Sequence, residues 1–306
     1  MKDFINYYYD FNITDIRLIN EKFYFTYDDN KYVFEKCLND YYEIDSINRV
    51  INQISKTNPY YHRLILNKDK KLITLVENQP YVMILLSFFN ENYITLFDIK
   101  GSDIVQLDEI ANNLIRSDWI SLWQKKIDFF ETIFMNNKDC FNRIIDSFNY
   151  YIGMAENAIM YIKEATVLKK DNYLEKLVIS HKRISKNMKL IDYYNPIGFI
   201  IDYRSRDIAE YLKTTFYYGK YDYLHISDYL YEHDLSEYEV HLLIGRLLFP
   251  SIYFDSLEQY INDNDINGVY YIENKIYEYE EFILEIFNIL EKRYNLRKIN
   301  WIIKKI

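Results

Sequence analysis

The prevailing hydrophobic period of this chain changes after its first third, and that change constrains its fold more than any other feature. Over the first ninety residues, apolar side chains alternate or run in short blocks, as in strands. From about Leu107 they recur every three or four residues, as in helices. A chain of 306 residues can hold both patterns as two lobes. The predicted organisation is α+β and bilobal: a small β-rich lobe over 1–89, a hinge near Ser87 to Asn92, and a helical lobe over 90–306.

In the first lobe, EKFYFTYDDNKYVFEKC (Glu21 to Cys37) predicts a hairpin turning at Asp28-Asp29-Asn30. Ile47, Val50, Ile51 and Ile54 mark a helix over 44–55. HRLILNKDKKLITLVEN predicts a second hairpin turning at Lys68 to Lys70, and YVMILLSF reads as a buried strand. The expectation is an antiparallel sheet carrying one helix. In the second lobe, Trp119, Trp123, Ile127, Phe130 and Phe134 share one helical face. A long helix is predicted from about Cys140 to Glu164, a β-like stretch between Leu177 and Ile201, and a last helix from Tyr279 to Tyr294.

Composition removes several function classes. Six Gly and four Pro exclude collagen-like or linker-rich architecture, and 18% aromatic residues exclude disorder. A formal charge of −9 argues against nucleic acid and anionic membranes as partners. The opening MKDFINYYYDFN lacks the apolar core of an export signal. The longest apolar run, Tyr81 to Phe89, spans about half of the roughly 20 residues that cross a bilayer. Synthesis in the cytoplasm, with no membrane span, is expected. Cys37 and Cys140 form neither a disulfide framework nor a metal box.

Three segments carry a resemblance: FNYYIGMAENAIMYI (Phe148 to Ile162), VISHKRISKN (Val178 to Asn187) and PIGFIIDYRSRDIAEYL (Pro196 to Leu212). Their order resembles the kinase-like phosphotransferases, including aminoglycoside phosphotransferases and choline kinase. There a helix leads to a His-Gly-Asp-Leu-x-x-x-Asn loop, then to a magnesium-binding Asp, then to an Asp opening the next helix. More narrowly, YYIGMAENAI, SHKRIS, IDYRSRDIAEYL and the closing INWIIKK resemble the CotS/YutH group of bacterial spore-coat proteins. The resemblance implies a protein-kinase-like fold, synthesis in the mother cell, a place in the spore coat, and other coat proteins as partners.

Residue by residue, the resemblance implies a degenerate site. His181 matches the motif His, Lys182 the Gly, and Arg183 the catalytic Asp. An arginine cannot accept a hydroxyl proton. The metal-binding Asn falls at Met188, with Asn187 one position early, while Asp202 matches the metal Asp and Asp207 the structural Asp. Asp202 is the one candidate for a metal. No glycine precedes Gly101, so a glycine loop over phosphates is missing. Tyr32-Val33-Phe34-Glu35 stands where kinases carry Val-Ala-Ile-Lys, and strand alternation places Glu35 inward and Lys36 outward. Helix 44–55 offers no Glu to pair with such a lysine. Carboxylates at Asp28, Asp29 and Glu35 would then face a triphosphate. The implied function is a pseudokinase with no catalytic residue, metal or cofactor, acting by protein contacts. One alternative is a small-molecule kinase using ATP and magnesium at an atypical site, and another is a nucleotide sensor without transfer.

His225, His233 and His241 lie eight apart, but Ser236 reads as a helix cap that separates them, so they are expected not to form a metal site. Trp119 and Trp123 are expected in the core. The 34 tyrosines accompany many Asn, Ile and Lys, as AT-rich coding would give. Exposed pairs such as Tyr41-Tyr42 remain candidate contact surfaces.

Overall fold

The computed structural model describes residues 1–101, 111–168 and 177–303, without the side chains of 111, 139, 140 and 303. Leu107, where the helical period begins, the side chain of Cys140 and the last residues of the closing motif lie outside that description.

Helix α1 (Lys2–Tyr9) opens the chain and stops at Asp10, whose φ of 52° is left-handed. Then come β1 (Arg17–Ile19), β2 (Lys22–Tyr27), β3 (Asn30–Lys36), α2 (Tyr41–Ile54), β4 (Arg63–Ile65), β5 (Ile73–Val76) and β6 (Gln79–Leu85). The sheet is antiparallel with order β1-β2-β3-β6-β4, and β5 also pairs with β6. The expected second hairpin does not form. β4 pairs with 83–85 and β5 with 79–82, so the two lie end to end along β6. The hairpin partner of β5 is β6 itself, turning at Glu77-Asn78.

The expected single helix is two, one on each face of the sheet. Alternation along β3 sends Val33 into the main core with Ile44, Ile47 and Ile51 of α2. It sends Tyr32 and Phe34 to the other face, where Ile5 and Tyr9 of α1 bury them. The Phe4, Ile5, Tyr8, Tyr9 pattern is a helical face that covers the sheet surface otherwise left to solvent. Three turns, Asn20-Glu21, Asp28-Asp29 and Glu77-Asn78, hold both central residues at positive φ. This is the hairpin form that glycine usually supplies, here built entirely from side-chain-bearing residues.

The helical part comprises α3 (Trp119–Asn136), α4 (Lys138–Phe141), α5 (Ile145–Ala165), α6 (Leu190–Tyr193), α7 (Ser205–Tyr218), α8 (Tyr223–Glu232), α9 (Glu237–Leu248), α10 (Ser251–Asp263), α11 (Asn267–Glu273), α12 (Ile276–Glu291) and α13 (Asn300–Ile303). The helix expected from Cys140 is broken before Ile145. β7 (Val178–His181) and β8 (Phe199–Asp202) form a two-stranded antiparallel ribbon. Helices α5 and α9 cross closely at Gly245, where an added Cβ would lie 2.4 Å from Ile162 Cγ1. Ser236 caps α9 in a reciprocal box with Glu239. Among the described residues, one stretch, Glu237–Asp263 (α9 and α10), is long and apolar enough to cross a bilayer by composition, and 78% of its most apolar window is buried inside the fold. Trp123 stacks on Phe249 at 4.2 Å, placing the tryptophan pair in the core.

Candidate functional site

Of the residues singled out from sequence, Glu35, His181, Asp202 and Asp207 lie where the sheet meets the β7–β8 ribbon and helix α7. Asp202 ends β8 and is fully buried. Its Oδ1 accepts from Trp119 Nε1 at 2.9 Å and from the Tyr203 amide at 2.7 Å; Oδ2 accepts from Arg206 Nη1 at 2.9 Å. Burial pushes its pKa up, against the opposing pull of Arg206 and Arg246. Both oxygens thus face protein donors. Met188, at the second ligand position, offers no hard oxygen and packs partly buried against the core. As a magnesium ligand set, these residues do not fit.

Arg183 is exposed and pairs with Asp255 of α10 at 2.9 Å. His181 is buried at the end of β7. Its Nε2 donates to the Tyr193 carbonyl at 2.8 Å, and its Nδ1 lies 2.6 Å from Asp207 Oδ2. Asp207 also accepts the His181 amide through Oδ1 at 3.1 Å. Asp207 stands inside the first turn of α7, where it is no cap; it ties the loop backbone and imidazole to that helix.

Glu35 points inward from β3 and is 4% exposed, whereas Lys36 is exposed. Its carboxylate is met by Lys22 Nζ of β2 at 3.1 Å and by Asn195 Nδ2 at 2.5 Å. Lys22 also reaches Asp192 of α6 at 2.9 Å. Burial alone would push the Lys22 pKa down, but these two carboxylates hold it above its ordinary value. The β3 position therefore carries the anion and β2 the cation. Glu35 thus meets the cleft through Lys22, a single cation that it shares with Asp192. Asp28 and Asp29 do not face the cleft. They turn at the far end of β2 from Asn20-Glu21, the tip on the cleft side. Helix α2 begins three residues before its predicted start, and this brings in Glu43, which pairs with Lys182 at 3.2 Å and Arg116 at 2.9 Å.

His62 was not singled out from sequence, and it is completely buried. Its Nε2 donates to the Ile191 carbonyl at 2.9 Å while its Nδ1 accepts the Ser87 amide at 3.2 Å. Burial lowers its pKa to about 4, in keeping with a neutral ring that both donates and accepts. The three histidines of 225–241 go to separate partners: the Asp222 carboxylate, the Tyr229 carbonyl and the Glu237 carbonyl.

Beside this closed region lies an open cavity of about 1050 Å³. Ile19, Lys22 and Tyr24 wall it from the sheet, Phe89 and Tyr93 from the segment after β6, and Asn187 from the loop after β7.

A family model described as "Spore coat putative kinase YutH" matches residues 2–287. The chain belongs to the YutH family of spore-coat proteins. The endospore coat-associated protein YutH of Bacillus subtilis is 26% identical over 278 residues, covering 81% of each chain. Among solved structures, an aminoglycoside phosphotransferase from Alicyclobacillus acidocaldarius covers 95% of this chain and 97% of its own, with 10% identity and a TM-score of 0.67. A spectinomycin phosphotransferase in an AMP-bound complex covers 94% and 96%, with 13% identity and a TM-score of 0.59. The fold is the kinase-like one of the aminoglycoside phosphotransferases, with an antiparallel sheet followed by a helical region. YutH-family membership supplies a spore-coat context.

Proposed function

We propose that this YutH-family protein is a non-catalytic, kinase-like component of the spore coat, made in the mother-cell cytoplasm, that works by binding other coat proteins. The observation that carries this reading is the enclosure of Asp202: a carboxylate fully buried and engaged by Trp119, Tyr203 and Arg206 is not free to take a metal–phosphate group. Support comes from Arg183, a paired cation where a proton acceptor is required. Turnover needs a held metal and an oriented hydroxyl, and Asp202, Met188 and Arg183, the residues at the matching positions, are suited to neither.

A second reading is favoured by the cavity, whose roughly 1050 Å³ would admit a nucleoside. Under it, the protein is an ATP-dependent small-molecule phosphotransferase with an atypical site. Calorimetric titration with ATP and magnesium decides between them. The non-catalytic reading expects no magnesium-dependent binding tighter than about millimolar, a free energy near −4 kcal/mol. A micromolar, magnesium-dependent signal that disappears in Asp202→Asn would promote the kinase instead.

A further inference from the structure

We propose that the sheet edge formed by β1 and the bare end of β2 receives an extended segment of a partner protein, which adds as a further strand and seats an uncharged side chain in the adjoining cavity. The inference rests on the reading above, in which the cleft does not serve phosphoryl transfer.

Among the described residues, β1 pairs with β2 alone and leaves its other side open. The register fixes which groups are available there. Ile19 opposes Lys22 across the two-residue turn and is therefore a hydrogen-bonded pair, as is Arg17 with Tyr24. Between them, the N–H and C=O of Leu18 point away from β2. β1 ends at Arg17, whereas β2 continues to Tyr27. Thr26, two beyond Tyr24, thus turns its own N–H and C=O to the same open side. Natural edges are commonly blunted by charge, proline or a bulge. This one is short and carries Arg17, yet it also presents Leu18 at 63% and Ile19 at 52% exposure.

The cavity opens along this edge. Arg17, Ile19, Tyr24 and Thr26 all line it, so alternation aims Ile19 at the cavity and Leu18 at the opposite face. Two of its lysines are held by carboxylates and a third lies over a ring. Lys22 lies between Glu35 and Asp192, Lys189 meets Glu91 at 2.8 Å, and Lys31 Nζ sits 3.6 Å from the centre of the Phe89 ring. Arg17 faces Asp15 at 3.9 Å. An aliphatic or aromatic side chain meets Tyr24, Phe89 and Tyr93 without disturbing the Lys22 and Lys189 pairs. Main-chain bonds to an edge with a pocket for alternate side chains are the two elements of recognition by strand addition.

The test uses the full chain and a capped, fluorescent seven-residue peptide alternating threonine with valine and tyrosine. Anisotropy should show saturable binding. Methylating one alternate set of peptide amides should weaken it at least about tenfold, and methylating the other set should change it little. Leu18→Pro removes an N–H that the sheet itself does not use, and should cost about tenfold in peptide affinity with thermal unfolding unchanged. Absent binding, or binding indifferent to both methylated series, overturns the proposal whatever the variant does. A concentration-dependent dimer lost in Leu18→Pro would assign the edge to a second copy and also overturn it. Tight ATP–magnesium binding with Leu18-dependent peptide binding retained would overturn the non-catalytic reading alone. Binding of neither overturns the edge proposal alone.

Discussion

The two halves of the cleft are built on opposite plans. Around Asp202 and His181, side chains satisfy one another: a buried carboxylate holds an indole, an amide and a guanidinium, and Asp207 holds the loop. Beneath β1 and β2 the same cleft remains open, walled by aromatic rings and by ions that are paired across its rim. In a kinase-like fold both halves would cooperate on one nucleotide, the first with its phosphates and the second with its base. On the non-catalytic reading proposed above, the phosphate half is structural framework, and the described cavity lies on the other side.

That contrast can be broken most severely at Asp202. If its half is framework, Asp202→Ala strands the partly buried Arg206 and the buried Trp119 donors and should cost about 3–5 kcal/mol in denaturant unfolding. An unchanged unfolding midpoint would mean that the carboxylate is available for other work. The next test is the seam between the halves. His62 has a folded pKa of about 4 against an ordinary 6.5, so the unfolded chain binds the proton more readily. Its contribution is therefore complete above about pH 6.5 and is lost as pH falls toward 4, by about 3 kcal/mol. Thermal unfolding of the native protein and of His62→Gln between these pH values should diverge by that amount; parallel curves would remove His62 from the seam. The smallest effect concerns the open half. Glu21→Gly creates an Asn-Gly turn at a φ of 63°, and should raise stability by about 1 kcal/mol without altering Asp202. A loss of stability would show that Glu21 has a partner that outweighs its backbone strain.

Much of this architecture was legible in the sequence wherever the pattern was long and regular. The β2–β3 hairpin, the α3 stripe, the Ser236 cap and the β7–β8 ribbon follow from alternation, helical spacing and cap chemistry. Inward Glu35 likewise follows from alternation within one strand. What escaped was short or nonlocal. Arg17-Leu18-Ile19 is too brief to read as a strand, and its Asn-Glu turn carries no glycine signal. Without that hairpin, local pattern puts Asp28-Asp29 at the cleft-side tip and gives Lys22 no role. The pairing of β4 and β5 along β6 depends on a strand absent from their local pattern. His62 gave no motif at all, because its role comes from Ser87 and Ile191, far away in sequence.

The placement of β6 also bears on how the chain comes off the ribosome. β3, β4 and β5 all pair with it, and α1 buries its outer face against residues that include Phe34 and Met83. The first helix therefore emerges some eighty residues ahead of the strand that completes its partner surface. At roughly 5–20 residues per second it waits several seconds with its aromatic face uncovered. A nascent chain arrested before β6 has left the exit tunnel would hold neither a closed sheet nor a buried α1, so the β-rich part is acquired in one late step during synthesis.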